Sequence, residues 1–182
     1  IIVSASGGLD STVLLFLLQS INIYKIIVAH VDHAMRKDSL NDKIFVESLC
    51  EDLNVPFFSQ TLNPSSKPKK DSPEQWAREE RYKYLRNLYV ETESNWIMTG
   101  HHCNDNAETV LMNLSRQAGV NGLSGIPQKN EKIIRPLLPF AKKNLCDFVE
   151  RVGLPFKNDS TNSDISIPRN FIRKKVLKPW NS

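Results

Sequence analysis

The chain has 182 residues, 40% of them hydrophobic and 24% charged, with a formal net charge of +4. That is enough for one ordinary globular core, and no run approaches the roughly 18 consecutive apolar residues of a membrane span, so a membrane protein is excluded and a cytoplasmic one expected. Three widely spaced cysteines, Cys50, Cys103 and Cys146, form no CxxC pair, which argues against a disulfide framework or a structural zinc site and fits a reducing compartment.

IIVSAS (1–6) reads as a short, nearly continuous apolar strand. No secretory signal is visible, and because Ile1 already lies in this strand, a few native residues are expected before it. From Ser11 to Ser20 the period becomes helical, with Val13, Leu14, Leu17 and Leu18 on one side. IYKIIVAHV (23–31) is a second strand. Residues 37–53 carry apolar positions at 40, 44, 45, 49 and 53, a one-sided helix, and VPFFSQTL (55–62) is a third strand. The polar, proline-rich stretch 63–73 reads as a loop. Ser72 and Pro73 then start a helix through Glu91, with Gln75 as the capping-box partner. NWIMTG (95–100) is a fourth strand, followed by a helix over 104–116 with Asn104 as its expected N-cap. Residues 117–135, with three glycines and Pro127, read as a flexible loop region. A helix beginning at Lys142 closes at Gly153, and a short basic helix spans 167–180.

Strands alternating with helices predict an α/β fold: a doubly wound, mostly parallel sheet with helices on both faces, Rossmann-like. Ligands of such sheets bind beyond the carboxyl ends of the strands, and the polar, glycine- and histidine-bearing stretches all fall there. Charge is also uneven. Residues 129–178 hold twelve Lys or Arg against five Asp or Glu. A polyanionic partner and a plain solvated surface suit that excess equally well.

SGGLDS (6–11) joins the first strand to the first helix. Gly7 and Gly8 allow a tight turn with unobstructed N–H groups, Ser6 and Ser11 add hydroxyls, and the helix adds its positive end. The stretch is built for phosphate oxygens. Asp10 would repel phosphate and is better placed to hold Mg²⁺ or orient the loop. GxGxxG and GxxxxGK[ST] are both absent. HVDHAMR (30–36) clusters His30, Asp32, His33 and Arg36 at a strand end, where they could bind a metal, relay a proton or hold an amine; His30 as a satisfied core histidine is the plainer alternative. Arg78 and Arg81 share a helical face and could reach phosphates, though a solvated face explains them as well. TGHHCNDNAET (99–109) offers His101, His102, Asp105 and Glu108, with Asp105 a second candidate Mg²⁺ carboxylate. Arg116 and Arg135 flank the glycine-bearing loop, and Ser160, Asn162, Arg169, Asn170, Arg173 and Lys174 form a basic, polar tail suited to an RNA backbone.

Taken in order, SGGLDS, HVDHAMR, AREERYKYL, TGHHCNDNAET, RPLL and DSTN…RNFIRKKVLKP resemble the tRNA(Ile)-lysidine synthases, within the ATP pyrophosphatases of the PP-loop superfamily. The resemblance covers almost the whole chain and implies an adenine nucleotide alpha hydrolase-like fold. It divides the chain into a nucleotide-binding PP-loop catalytic domain over 1–150 and a basic, tRNA-contacting segment over 151–182, with further C-terminal tRNA-binding domains expected beyond. It implies a cytoplasmic ATP- and Mg²⁺-dependent carbon–nitrogen ligase. ATP would adenylate O2 of the wobble cytidine of tRNA(Ile), and the ε-amine of free L-lysine would then displace AMP at C2. Ser6, Gly7, Gly8, Leu9, Asp10 and Ser11 would hold ATP. Asp10 and Asp105 would hold Mg²⁺, and Asp32 and His33 would orient lysine. Arg116 would stabilise phosphate charge. Arg36, Arg78, Arg81, His102, Arg135, Asn162, Arg169, Asn170, Arg173 and Lys174 would contact substrate or tRNA. No membrane partner is implied, and a homodimer is left open. The alternatives are a tRNA thiolase of the same superfamily, a small-molecule amidoligase and a non-catalytic adenine-nucleotide-binding domain. The chain departs from the family pattern at Asn106, in the stretch RQAGVNGLSG and at Pro168.

Overall fold

In a computed structural model, residues 1–35, 39–70, 72–157 and 164–180 are described. Six strands form one sheet: β1 (Ile2–Ser4), β2 (Ile27–Asp32), β3 (Phe57–Thr61), β4 (Ile97–Thr99), β5 (Lys129–Asn130) and β6 (Ile133–Ile134). Their order is β3-β2-β1-β4-β6-β5, and every pairing is parallel except β5 with β6. The expected doubly wound α/β sheet is present. The last two strands fall in the stretch read as a loop. Two residues are too few for a legible alternation, and the hairpin turns through Glu131 at φ 51°.

The helices are α1 (Leu9–Ile21), α2 (Ser39–Asp52), α3 (Pro73–Glu91), α4 (Cys103–Ser115), a single turn α5 (Val120–Leu123) and α6 (Lys142–Val152). The chain ends in α7 (Pro168–Phe171), a π-helical stretch Ile172–Leu177 and α8 (Lys178–Trp180). Strand alternation divides the core. Val3, Val28 and Met98 face α1, α2 and α6, packing on Leu14, Val46 and Val149. Ile2, Ala29 and Ile97 face α3, packing on Tyr82, Leu85 and Leu88. Leu14, Leu15 and Leu85 are all but sealed from solvent, and each such burial contributes about 1.5–3 kcal/mol.

Several expectations need correction. The buried stripe of α2 runs through Val46 and Cys50, while Leu40 and Ile44 are exposed. Ser72 caps α3 by accepting from Gln75 N–H at 3.2 Å, but the Gln75 side chain turns to Glu79 instead of completing the box. The N-cap of α4 is His102, not Asn104. No helix among the described residues is long and apolar enough to cross a membrane.

Candidate active site at the strand ends

Between β1 and α1 the chain turns on Gly7, at φ +83°. A Cβ there would meet Phe45 and Val46 at 3.2 Å, so glycine is required by both conformation and space. Ser11 Oγ accepts from Ser6 N–H at 3.1 Å and donates to Gly8 O at 3.0 Å, which locks the loop from within. The first intrahelical bond is Thr12 N–H to Gly8 O, and no side chain caps the helix. The N–H groups of Leu9, Asp10 and Ser11 therefore have no acceptor inside α1. Gly100, at the end of β4, lets that strand press against Asp10 and Ser11, where a Cβ would stand 3.0 Å from backbone atoms.

Three helix starts converge on Asp10. Lys142, the first residue of α6, places its Nζ 2.5 Å from Asp10 Oδ1. Its backbone N–H donates to Asn104 Oδ1 at 2.8 Å, tying α6 to α4. His102 Nδ1 accepts the Asp105 N–H at 3.4 Å, so its proton lies on Nε2, 3.5 Å from Asp10 Oδ2. Burial alone would raise the Asp10 pKa; His102 and Lys142 together outweigh it and hold the carboxyl below its ordinary range. Lysine at a helix start opposes the helix dipole, and α6 has no acid in its first turn to compensate.

Two cavities flank the loop, one on each face of the sheet. The first, about 300 Å³, lies toward α2 and is lined by Ser6, Gly8, His30, Asp32, His33, Met35, Asp42 and Lys157 among others. Asp32 Oδ1 there accepts from Ala34 N–H at 2.8 Å, and the Lys157 N–H donates to Gly7 O at 2.9 Å, laying the segment after α6 along the loop. The second, about 230 Å³, lies toward α3. Its walls include Ser6, Asp10, Ser11, Thr99, Gly100, His101, Asp105 and the arginines Arg78, Arg81 and Arg169. Ser6, Val31 and His33 border both.

The second cavity is strongly cationic. Arg78 and Arg81 lie over the Tyr82 ring at 5.1 and 5.2 Å. Arg135 stands behind them, 4% exposed, donating to Pro127 O at 2.6 Å. The Nε groups of Arg81 and Arg135 are buried without a hydrogen-bond partner among the described residues. Burial, and then the charges of Arg81, Arg135, Arg78 and Arg169, push the His101 pKa down to about 3, so its imidazole is neutral. Burial would raise the Tyr82 phenol, but Arg81, Arg78 and Arg135 more than cancel it and lower its pKa. Of Arg81 and Arg135, Arg81 lines the cavity, and a buried guanidinium there calls for an anion.

The structure brings Asp10, His33, Arg78, Arg81, Asp105 and Arg169 around one cavity, places Asp32 in the other, sets His102 behind Asp10, and buries Arg135 outside the lining of either cavity. It does not bring Arg116 there. Arg116 is exposed at the far end of α4, about 16 Å along the axis from Asp105. Arg169 and Arg173 turn inward rather than outward. Their guanidinium groups clamp Glu108, which is 0% exposed, at 2.8 and 2.6 Å. Asn170 is likewise buried and donates to Asp164 O at 2.9 Å. Lys174 is half-buried on the terminal helix. Arg36, Ser160 and Asn162 lie outside the described residues. Sequence reasoning missed Lys142, although a lysine opening α6 against the dipole was a usable signal.

A PP-loop domain family model matches residues 1–179. The chain is 41% identical to a tRNA(Ile)-lysidine synthase of Thermosipho africanus, over 97% of this chain and 43% of that protein. It is 38% identical to one of Chlorobaculum tepidum, over 97% and 55%. The chain thus spans about half the length of these curated relatives. Among solved structures, it superposes on the U34-tRNA thiolase NcsA of Methanococcus maripaludis, solved with its [4Fe-4S] cluster, with a TM-score of 0.79 at 19% identity, covering 98% of this chain and 66% of that one. An NMN synthetase of Francisella tularensis gives 0.60 at 13% identity, over 85% and 61%. Both likenesses concern the fold alone.

Proposed function

Because the chain belongs to the PP-loop domain family, we propose that it is the nucleotide-activating module of a lysidine-forming ligase. Its substrates are ATP, the wobble cytidine of tRNA(Ile) and free L-lysine. The carrying observation is the uncapped start of α1 on the Ser6–Ser11 loop, with the arginine cavity on one side and the acid-lined cavity on the other.

Phosphate oxygens take the free N–H groups of Leu9, Asp10 and Ser11. The α3-side arginines Arg78, Arg81 and Arg169 balance the charge of the phosphates or of the incoming nucleotide. Cytidine O2 bonds to the α-phosphorus as the α–β bridge breaks and pyrophosphate leaves. The lysine amine, having lost a proton, then bonds to C2, and the C2–O2 bond breaks with AMP as the leaving group. Asp32 and His33, at the end of β2, orient that amine.

Mg²⁺ is held through one or two carboxylates plus phosphate and water. Asp10, 30% exposed beside the phosphate turn, suits that role. Asp105 is the second candidate, although its Oδ2 already accepts the His102 N–H at 2.9 Å. When bound, the ion neutralises charge on the departing pyrophosphate. Cys50 does not support the thiolase alternative: it lies in the core, 1% exposed, with its thiol pushed up by burial to about 12, which suits neither a cluster ligand nor a sulfur nucleophile. Cys103, half-buried at the start of α4, is the cysteine on which that alternative rests.

The test is ATP–pyrophosphate exchange by the 182-residue chain, with and without cytidine-wobble tRNA(Ile), followed by mass analysis of the nucleosides. RNA-dependent exchange and a lysine mass increment on cytidine are expected. Exchange indifferent to the RNA, or a sulfur increment, would contradict the proposal.

A further inference from the structure

Arg78, Arg81 and Tyr82 lie together on α3. Arg78 and Tyr82 stand at i, i+4 on one face, and Arg81 directly precedes the tyrosine. The acids beside them are engaged elsewhere: Glu79 accepts from Gln75 Nε2 at 2.9 Å, and Glu80 pairs with Lys83 at 3.6 Å. Neither arginine forms an ion pair with a carboxylate among the described residues. What both meet is the Tyr82 ring, with their guanidinium carbons 5.1 and 5.2 Å from its centroid. A helix face that is merely solvated has no reason to gather two guanidinium groups on one buried ring.

The ring is a fixed platform. Tyr82 is 8% exposed and packs with Ile2, Ala29, Leu85 and Ile97 in the α3-side core, which freezes its torsions. Its hydroxyl is buried without a hydrogen-bond partner among the described residues. Tyr82 lines neither cavity, whereas Arg78 and Arg81 both line the α3-side one. Any effect of the tyrosine on a ligand therefore passes through the arginines. A free arginine loses rotamer entropy when it grips an anion, and one already held over a ring has less to lose. The electron-rich face of the ring also offsets part of the repulsion between two cations held side by side.

We propose that Tyr82 is a positioning residue, its ring presetting Arg78 and Arg81 as a paired clamp for phosphate oxygens in the α3-side cavity. This rests on the reading of that cavity as an anion site. The oxygens belong to the nucleotide or to the RNA backbone, and the test separates the two. The whole chain is titrated with inorganic tripolyphosphate and with the anticodon stem-loop of cytidine-wobble tRNA(Ile). Position 82 carries tyrosine, phenylalanine or a ring-fluorinated phenylalanine in turn. Fluorination keeps the shape of the ring while draining its negative face, so packing is preserved. Tyr82→Phe should bind like wild type, since the hydroxyl has no partner to lose. Trifluorophenylalanine there should weaken binding about 5–10-fold, with the singly and doubly fluorinated rings in between. The probe that shows the loss names the source of the phosphate. With Arg78→Ala the fluorine series should lose most of its slope, because the ring then has one guanidinium fewer to hold. Affinities for both probes that ignore fluorination would overturn the proposal and leave Tyr82 a packing residue. So would a slope unaltered by Arg78→Ala, or a loss already complete in Tyr82→Phe. A wild-type chain that binds neither probe overturns the anion reading of the cavity itself.

Discussion

Two acidic groups near the strand ends look alike in sequence and live differently in the fold. Asp10 is 30% exposed, reached by Lys142 and His102, and faces a cavity. Glu108 is sealed, and Arg169 and Arg173 consume both of its oxygens. The first arrangement leaves room for a ligand to replace protein contacts. The second joins α4 to the terminal helix and leaves nothing over. Motif membership does not separate a working carboxylate from a structural one; spare coordination and access do.

Substitutions should break the two regions in opposite ways. Glu108→Ala strands two guanidinium groups and should cost about 3–5 kcal/mol of stability, read as a lower urea midpoint. A near-wild-type midpoint would show that the clamp is not structural. Asp10→Ala should reverse the pattern, keeping the fold while lowering pyrophosphate exchange at least about 100-fold. Folded protein with its exchange intact would remove Asp10 from the chemistry. Lys142→Met should lower exchange about 10-fold with little loss of stability, since a half-exposed ion pair contributes little to folding. An unchanged rate would make Lys142 a tether only.

The last effect is absent at neutral pH and develops only in acid. His101 is neutral when folded, with its pKa lowered from 6.5 to about 3. Between those values the unfolded chain binds the proton and the folded chain does not. Its contribution to stability is therefore complete above 6.5 and falls as pH drops, by at most about 1.4 kcal/mol per unit. His30, also lowered, acts in the same direction below its ordinary value. His101→Gln should flatten this acid limb in urea titrations at stepped pH. An unaltered slope would show that the imidazole is protonated in the fold.

The phosphate turn was legible because its signal is local: two glycines between a strand and a helix, the first of them required by its positive φ. The alternation of β1, β2 and β4 with their helices was legible for the same reason. β5 and β6 were not, since two residues carry no period and their pairing is set by β4. The partner of Asp10 was hidden because Lys142 lies 132 residues away. Arg173 and Asn170 read as RNA contacts because basic and polar tails usually face solvent; a buried glutamate on α4 and a backbone carbonyl at Asp164 turn them inward. Arg116 was drawn into the site by proximity in sequence to the histidine-rich stretch, and the length of α4 carries it away. His30 was weighed as a satisfied core residue, and its Nδ1, 2.9 Å from the Ala5 carbonyl oxygen, supports that reading.

The central claim is that this turn holds ATP for cleavage between the α and β phosphates. The most direct measurement is chromatographic identification of the nucleotide products when the chain is incubated with ATP, Mg²⁺, L-lysine and cytidine-wobble tRNA(Ile). AMP and pyrophosphate in equal amounts, absent with Asp10→Ala, are the predicted result. ADP and inorganic phosphate, or AMP formed equally well by Asp10→Ala, would contradict it.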